Sequence, residues 1–212
     1  MKQVKVVIFD CDGVMFDSIR ANEAYYNQIL AKFKRPQLNI DQRDYVHMNT
    51  AEKSVAHLFK GDPRLEDVSS YRRSMSYLRF IPLMEMEPYL RDFLQYLRPA
   101  YKTAISTNRS DTMGPVLAHH GLEGYFDLVV SSLDVKNPKP DPESLIKILN
   151  YFGLSPQEAI YIGDSKIDES AAKAARVPLV AYKNPMLSTA AHHVTHFKVI
   201  ENLLKHGGPQ SP

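Results

Sequence analysis

Short apolar runs recur along the chain, each closed by an acidic, polar or glycine residue. Residues 4–9 are mostly apolar and β-branched and stop at Asp10. That pattern predicts a strand buried on both faces, as in a parallel sheet. Similar runs predict strands over residues 103–106, 128–130, 160–162 and 179–181. Helical periodicity separates them. Residues 88–97 place Leu90, Phe93, Leu94 and Leu97 on one face. Asp141 followed by Pro142 is an N-cap and first-turn pair, leading into Leu145, Ile146 and Leu149 and closing near Gly153. Ser155 with Glu158 has capping-box spacing before the next strand. Strands alternating with helices predict an α/β fold, a Rossmann-like parallel-sheet core.

Residues 18–84 break this rhythm. They read as helical throughout, with no convincing strand. Asn49 with Glu52 signals a helix start before Val55, Leu58 and Phe59, and Gly61-Asp62-Pro63 marks a break. A helical block between the first two strands reads as an insertion. The expected division is a small all-helical domain over 18–84 and a discontinuous core over 1–17 and 85–212. Residues 207–212 read as a disordered tail.

Composition narrows the class. With 26 basic residues against 24 acidic ones, the net charge is +2. This argues against non-specific attraction to nucleic acid or a membrane surface. No apolar run reaches the length of about 18 residues that spans a bilayer. A lone cysteine cannot close an intramolecular disulfide, and no signal peptide is legible. A cytoplasmic protein is the expectation, monomeric or weakly dimeric.

Chemistry concentrates where the strands end. The first closes on Asp10-Cys11-Asp12-Gly13. Ligands of open α/β sheets bind beyond the carboxyl ends of the strands, although Asp and Gly also simply make turns. Ser106-Thr107-Asn108 follows the second strand, and a Ser/Thr-Asn pair is commonly a helix cap. Lys139 stands in Asn137-Pro138-Lys139-Pro140-Asp141-Pro142, just before a helix, and Gly163-Asp164-Ser165 follows a buried strand, with Asp168 four residues after Asp164.

The stretch Val-Val-Ile-Phe-Asp-Cys-Asp-Gly-Val-Met-Phe-Asp-Ser, residues 6–18, resembles the first motif of the haloacid dehalogenase-like superfamily. It is similar to the branch with a helical cap inserted after that motif, which includes phosphoglycolate phosphatases and β-phosphoglucomutase. The three later sites resemble the remaining motifs, in order. The resemblance implies Asp10 as nucleophile and Asp12 as general acid and base. It implies Thr107 as a phosphate ligand, with Ser106 the one-residue alternative and Asn108 a second donor. Lys139 becomes the positive charge for phosphate and nucleophile. Mg2+ would be held by Asp10, Asp164 and the backbone carbonyl of Asp12. Asp168 would either bind that metal through water or orient Lys139. Hard oxygen ligands suit this ion.

The implied function is a phosphatase acting on a small-molecule phosphate monoester through an aspartyl phosphate. Dehalogenases lack the second Asp, so Asp12 favours phosphoryl transfer. A phosphomutase shares these core residues, and a non-catalytic phosphate-binding module ranks below both. Nucleic acid and membranes are not expected partners. Cys11 is expected to pack in the core. Asp17 and Ser18 are expected at the hinge of the cap. Arg20, Asn22, Arg43 and His47 are candidate substrate contacts with surface solvation as the default, and Tyr71, Arg72, Arg73 and Tyr77 read as a polar coat. Gly114-Pro115 suggests that the helix after Thr107 starts late.

Overall fold

The first apolar run forms β1 (Val6–Phe9), with all four residues buried. The computed structural model describes residues 4–98 and 100–207 of the chain. Of the expected tail over 207–212, Gly207 instead ends the last helix, and 208–212 lie outside the described residues. Two residues each form β2 (Phe16–Asp17) and β3 (Glu85–Met86), an antiparallel pair. Between them run α1 (Ile19–Lys32), α2 (Ile40–Met48), α3 (Ala51–Leu58), α4 (Leu65–Ser74) and a 3-10 helix (Tyr77–Leu83). The chain therefore leaves and re-enters the core through one small ribbon at Asp17 and Glu85. Asp17 accepts a hydrogen bond from the Ile19 amide at this turn.

After α5 (Leu90–Leu97) come β4 (Lys102–Ser106), α6 (Met113–His119), β5 (Leu128–Val130) and α7 (Glu143–Phe152). Then follow β6 (Ala159–Gly163), α8 (Lys166–Ala175), β7 (Leu179–Tyr182), β8 (His192–Val194) and α9 (Phe197–Gly207). The six-stranded sheet has the order β5-β4-β1-β6-β7-β8, with every pair parallel. The winding reverses at β1, so a crevice opens beyond the carboxyl ends of β4, β1 and β6.

Alternation along β1 divides the core. Val7 and Phe9 pack into one buried cluster, while Val6 and Ile8 pack into the other. The first cluster continues without a gap into the helical insertion, through Tyr25, Tyr26, Val55, Phe59 and Phe80. Phe9 meets Phe93 and Phe126 edge to face. Truncating a buried Phe of this kind typically costs about 3–5 kcal/mol, so the strand beneath the crevice is rigidly seated.

Local details depart from the sequence expectations for identifiable reasons. The α3 N-cap is Thr50, whose side chain accepts from the Lys53 amide; Asn49 instead ends α2. The α7 helix begins at Glu143, and Asp141 accepts the Glu143 amide from just outside it. Ser144, Leu145, Ile148 and Leu149 form its buried face, while Ile146 is 42% exposed. Tyr89, in a left-handed conformation at φ 67°, delays the start of α5 to Leu90. The Ser155–Glu158 capping box forms as expected, and α6 starts only at Met113 with Gly114-Pro115 in its first turn.

Candidate active site

Asp10 follows β1 directly, and its backbone amide still bonds to the Ile162 carbonyl at 2.9 Å. Lys139 reaches it from the loop between β5 and α7. That loop is pinned by Glu143, whose carboxylate accepts the Lys136 and Asn137 amides at 2.8 Å each. The Lys139 ammonium is buried and meets Asp10 Oδ1 at 2.8 Å, Asp168 Oδ1 at 2.7 Å, Tyr161 Oη at 2.7 Å and the Ser106 carbonyl at 3.1 Å.

Asp168 sits in the first turn of α8, where Ser165 is the N-cap in a reciprocal capping box. Oδ2 of Asp168 accepts from the Ser165 hydroxyl at 2.6 Å, and Oδ1 accepts from Tyr161 at 2.6 Å as well as from Lys139. Both oxygens are therefore engaged. Among the described residues, Asp10, Asp164 and Asp168 offer oxygen atoms within 4.8 Å of one another. The Asp164 carboxylate lies against Gly13, at φ 79°, where a Cβ would stand 2.1 Å from Oδ2. Only glycine combines that backbone conformation with that close approach.

Electrostatics separates these acids. Burial, aided by the Asp168 and Asp12 carboxylates and opposed by Lys139, pushes Asp10 up to about 7. Burial and the neighbouring Asp168 and Asp10 carboxylates raise Asp164 well above the ordinary range. For Asp168, burial works upward, but Lys139 with the Ser165 and Tyr161 donors outweighs it and holds the carboxyl low. Burial likewise disfavours charge on Lys139, and the Asp10 and Asp168 carboxylates overcome it. The Asp10 and Asp164 carboxylates thus stand side by side, and the Lys139 ammonium that meets Asp10 is shared with Asp168. This donor set fits a hard divalent cation between Asp10 and Asp164, which would favour both ionised forms.

Asp12 points elsewhere. Its carboxylate takes Arg109 Nε at 2.8 Å and Nη2 at 2.6 Å, together with the Ser18 hydroxyl. Burial opposes its ionisation, and Arg109 more than compensates, so its pKa is lowered. Any part for Asp12 in holding a metal falls to its backbone carbonyl. Thr107 lines the cavity, and its Oγ1 accepts the Arg109 amide at 3.1 Å. The alternative, Ser106, is fully buried and bonded to Ser144 at 2.8 Å. Asn108 also lines the cavity, but its side-chain nitrogen donates to the Met48 and Lys139 carbonyls at 3.2 and 3.1 Å. The second donor expected there is spent on joining the end of α2 to the loop that carries Lys139. Cys11 is fully buried, and burial pushes its thiol up, in keeping with a packing role.

These groups open onto one cavity of about 560 Å³ between the sheet and the helical insertion. Asn22, His47, Arg72 and Tyr77 line it half-buried, which corrects the surface reading of these side chains, while Arg73, at the cavity rim, stays exposed as expected. Tyr77 donates to Asn22 at 2.8 Å, and the Asn22 amide meets His47 at 3.3 Å. Arg20 and Arg43 stay outside, paired with Glu85 and Glu23. Tyr71 packs against Phe33.

Sequence reading missed Arg109 and Tyr161. Arg109 immediately follows Thr107-Asn108, which is a hint, but its partner lies 97 residues away. A buried Tyr in a central strand must find a partner for its hydroxyl, and Tyr161 finds Asp168 and Lys139.

The doubly wound sheet, the helical insertion and the carboxylate–lysine cluster at the carboxyl edge define an α/β enzyme. The chain belongs to the haloacid dehalogenase-like hydrolase family, whose model matches residues 7–182. It is 28% identical over 185 residues to a phosphoglycolate phosphatase of Pseudomonas putida, covering 83% of this chain and 68% of that protein. It is 30% identical over 176 residues to the pyrophosphatase PpaX of Bacillus velezensis, covering 81% and 80% respectively. A solved haloacid dehalogenase-superfamily hydrolase from Geobacter sulfurreducens, subfamily IA, variant 1, superposes with a TM-score of 0.77 at 40% identity, over 95% of this chain and 96% of that one.

Proposed function

We propose that the protein is a magnesium-dependent phosphatase that hydrolyses a small-molecule phosphate monoester through an aspartyl phosphate on Asp10. The observation that carries this reading is Asp10 itself. It is a buried carboxylate at the end of the central strand, ion-paired to Lys139, beside Asp164 and two residues before Asp12. In this reading residues 18–84 act as the cap over the core formed by 1–17 and 85–212, and the enzyme works in the cytoplasm.

Asp10 attacks phosphorus, and the P–O bond to the leaving alcohol breaks in line. Asp12, which takes up a proton once it leaves Arg109, gives that proton to the departing oxygen and then takes one from the water that attacks the aspartyl phosphate. Lys139 and Thr107 bind the transferring phosphoryl oxygens and offset their charge. Asp168 and Tyr161 hold Lys139 in place for that task. Asp10, Asp164 and the Asp12 carbonyl would hold Mg2+, which supplies further charge neutralisation when bound. Asp164→Asn should therefore lower magnesium affinity.

The assay is phosphate release from a panel of sugar, nucleotide and hydroxy-acid monophosphates, with magnesium or with chelator. One phosphate released per substrate, only with magnesium, is the expected result. Conversion of a sugar phosphate to its isomer without net release would make the protein a mutase instead.

Magnesium binding should also depend on pH. The folded pKa of Asp10 lies above its unfolded value, so the folded chain takes up a proton there. Without a cation, that contribution to stability is present at acid pH and is lost as pH rises through about 7. A cation at Asp10 and Asp164 reverses the balance by favouring the ionised forms. The rise in melting temperature on adding magnesium should be small near about pH 5 and grow toward about pH 8. Calorimetry across that range checks it, and a magnesium effect independent of pH contradicts the site.

A further inference from the structure

Leu133 stands in a tight turn after β5. Asp134 closes that turn: its Oδ2 accepts from the Ser131 amide at 2.8 Å and from the Ser131 hydroxyl at 2.6 Å. The Leu133 amide donates to Ser131 Oγ at 3.3 Å, and the Ser132 amide donates to the Arg109 carbonyl at 2.8 Å. The backbone of the turn is thus fixed, yet Leu133 is left 67% exposed. Leu78, on the insertion, shows the same arrangement. Ser76 caps the 3-10 helix by accepting the Leu78 amide at 3.3 Å, Phe80 and Ile81 are buried, and Leu78 stays 56% exposed.

A single exposed leucine is ordinary on a protein surface. These two belong to different parts of the fold, and both line the cavity that holds Asp10 and Lys139. Half-buried Met75 and Pro115 line it as well. Of the cavity's polar side chains, Arg72 is matched with Glu52 at 2.8 Å, Tyr77 with Asn22 at 2.8 Å and Arg109 with Asp12 at 2.6 Å. A ligand group that competes for those must first break an internal pair. One that covers Leu78 and Leu133 displaces only water from apolar surface. The cavity holds about 560 Å³, the size that takes a drug-sized molecule and far more than a phosphoryl group fills. Because the phosphoryl site lies in the same recess, the occupant of the remaining space is the rest of the same substrate.

We propose, on the phosphatase reading of the site, that Leu78 and Leu133 form an apolar subsite for the leaving alcohol, and that the preferred substrate is a phosphate monoester whose alcohol carries an apolar body, alkyl or aryl. One leucine comes from the insertion and one from the core, so the body of the substrate bridges the two. Both residues determine specificity by binding; neither touches the reacting atoms.

The test is a series of n-alkyl phosphates from methyl to hexyl, each with magnesium. Benzyl phosphate is the aryl member, and 2-phosphoglycolate is the short polar comparison. Wild type, Leu78→Ser, Leu133→Ser and Leu133→Met are compared. In wild type, kcat/KM should rise by roughly 2- to 4-fold for each added methylene that the leucines cover, mainly through KM because the gain is in binding. Either serine variant should flatten the series, losing most on the hexyl ester and least on the methyl ester. Leu133→Met keeps an apolar side chain and should keep most of the rise. Both leucines are exposed, so these variants retain the fold. Whichever of the benzyl and hexyl esters has the higher kcat/KM identifies the body as aryl or alkyl. A flat wild-type series overturns the inference, as does a rise that neither serine variant alters, or a preference for 2-phosphoglycolate over every apolar ester. Those results leave the phosphatase reading standing as long as release requires Asp10. If none of these esters releases phosphate, or Asp10→Asn still turns them over, the proposed function fails and the inference falls with it.

Discussion

Asp10→Asn is expected to reduce phosphate release by about 10⁴-fold or more, with the fold intact. The amide is isosteric with the carboxylate, so the packing at the end of β1 is kept. What is lost is the nucleophile, for which no neighbour substitutes. Asp168 has both oxygens engaged, and Asp12 is held by Arg109 and Ser18. The same substitution should raise the melting temperature of the cation-free protein above about pH 7, because burial makes the Asp10 carboxylate unfavourable there. Loss of activity with a gain in stability is a pairing that a folding defect does not produce. Circular dichroism melts beside the phosphate assay read both.

Lys139→Met should lose activity to a similar degree and should also destabilise the protein, by about 3–5 kcal/mol. The methionine fills much of the space but leaves Asp10 and Asp168 buried without the ammonium that both contact. Tyr161 and the Ser106 carbonyl lose a partner as well. Because the uncompensated charge lies on carboxylates, stability should recover partly at low pH, where they take up protons. Denaturant unfolding at two pH values checks the sign: a variant whose loss is the same at both contradicts the buried-pair account. Together, the two substitutions separate a group that reacts from one that reacts and also supports the fold.

The parts of this site that were legible in the sequence share one property: each stands at the end of a buried strand. Asp10, Thr107 and Asp164 follow apolar runs that leave little doubt about strand identity, so their position at one edge of the sheet follows from the parallel topology. Lys139 was marked by its prolines. The short elements were not legible. Residues His192-His193-Val194 form an edge strand with little apolar signal, and β2 and β3 are two residues each, made by pairing across the insertion. Ile146 shows the limit of helical phase: one position of rotation turns an apparent core residue to solvent.

The cavity wall was hidden for a different reason. Asn22, His47, Arg72 and Tyr77 are polar side chains on helices, where solvation is the sensible default. Only the way the insertion packs over the sheet brings them together. Arg109 illustrates the same point more sharply, since its meaning depends on a contact with Asp12 across 97 positions of sequence. Local pattern located the carboxyl edge of the sheet; the cavity wall above it is made by long-range contacts.

The most direct test of the central claim is to quench wild-type enzyme during turnover with magnesium and a good substrate, then map phosphorylated peptides by mass spectrometry. The account predicts a phosphoryl group on Asp10, absent from Asp12, Asp164 and Asp168, and absent when substrate is omitted. Sustained turnover with no phosphoryl group on Asp10, or with the group on another residue, would contradict it.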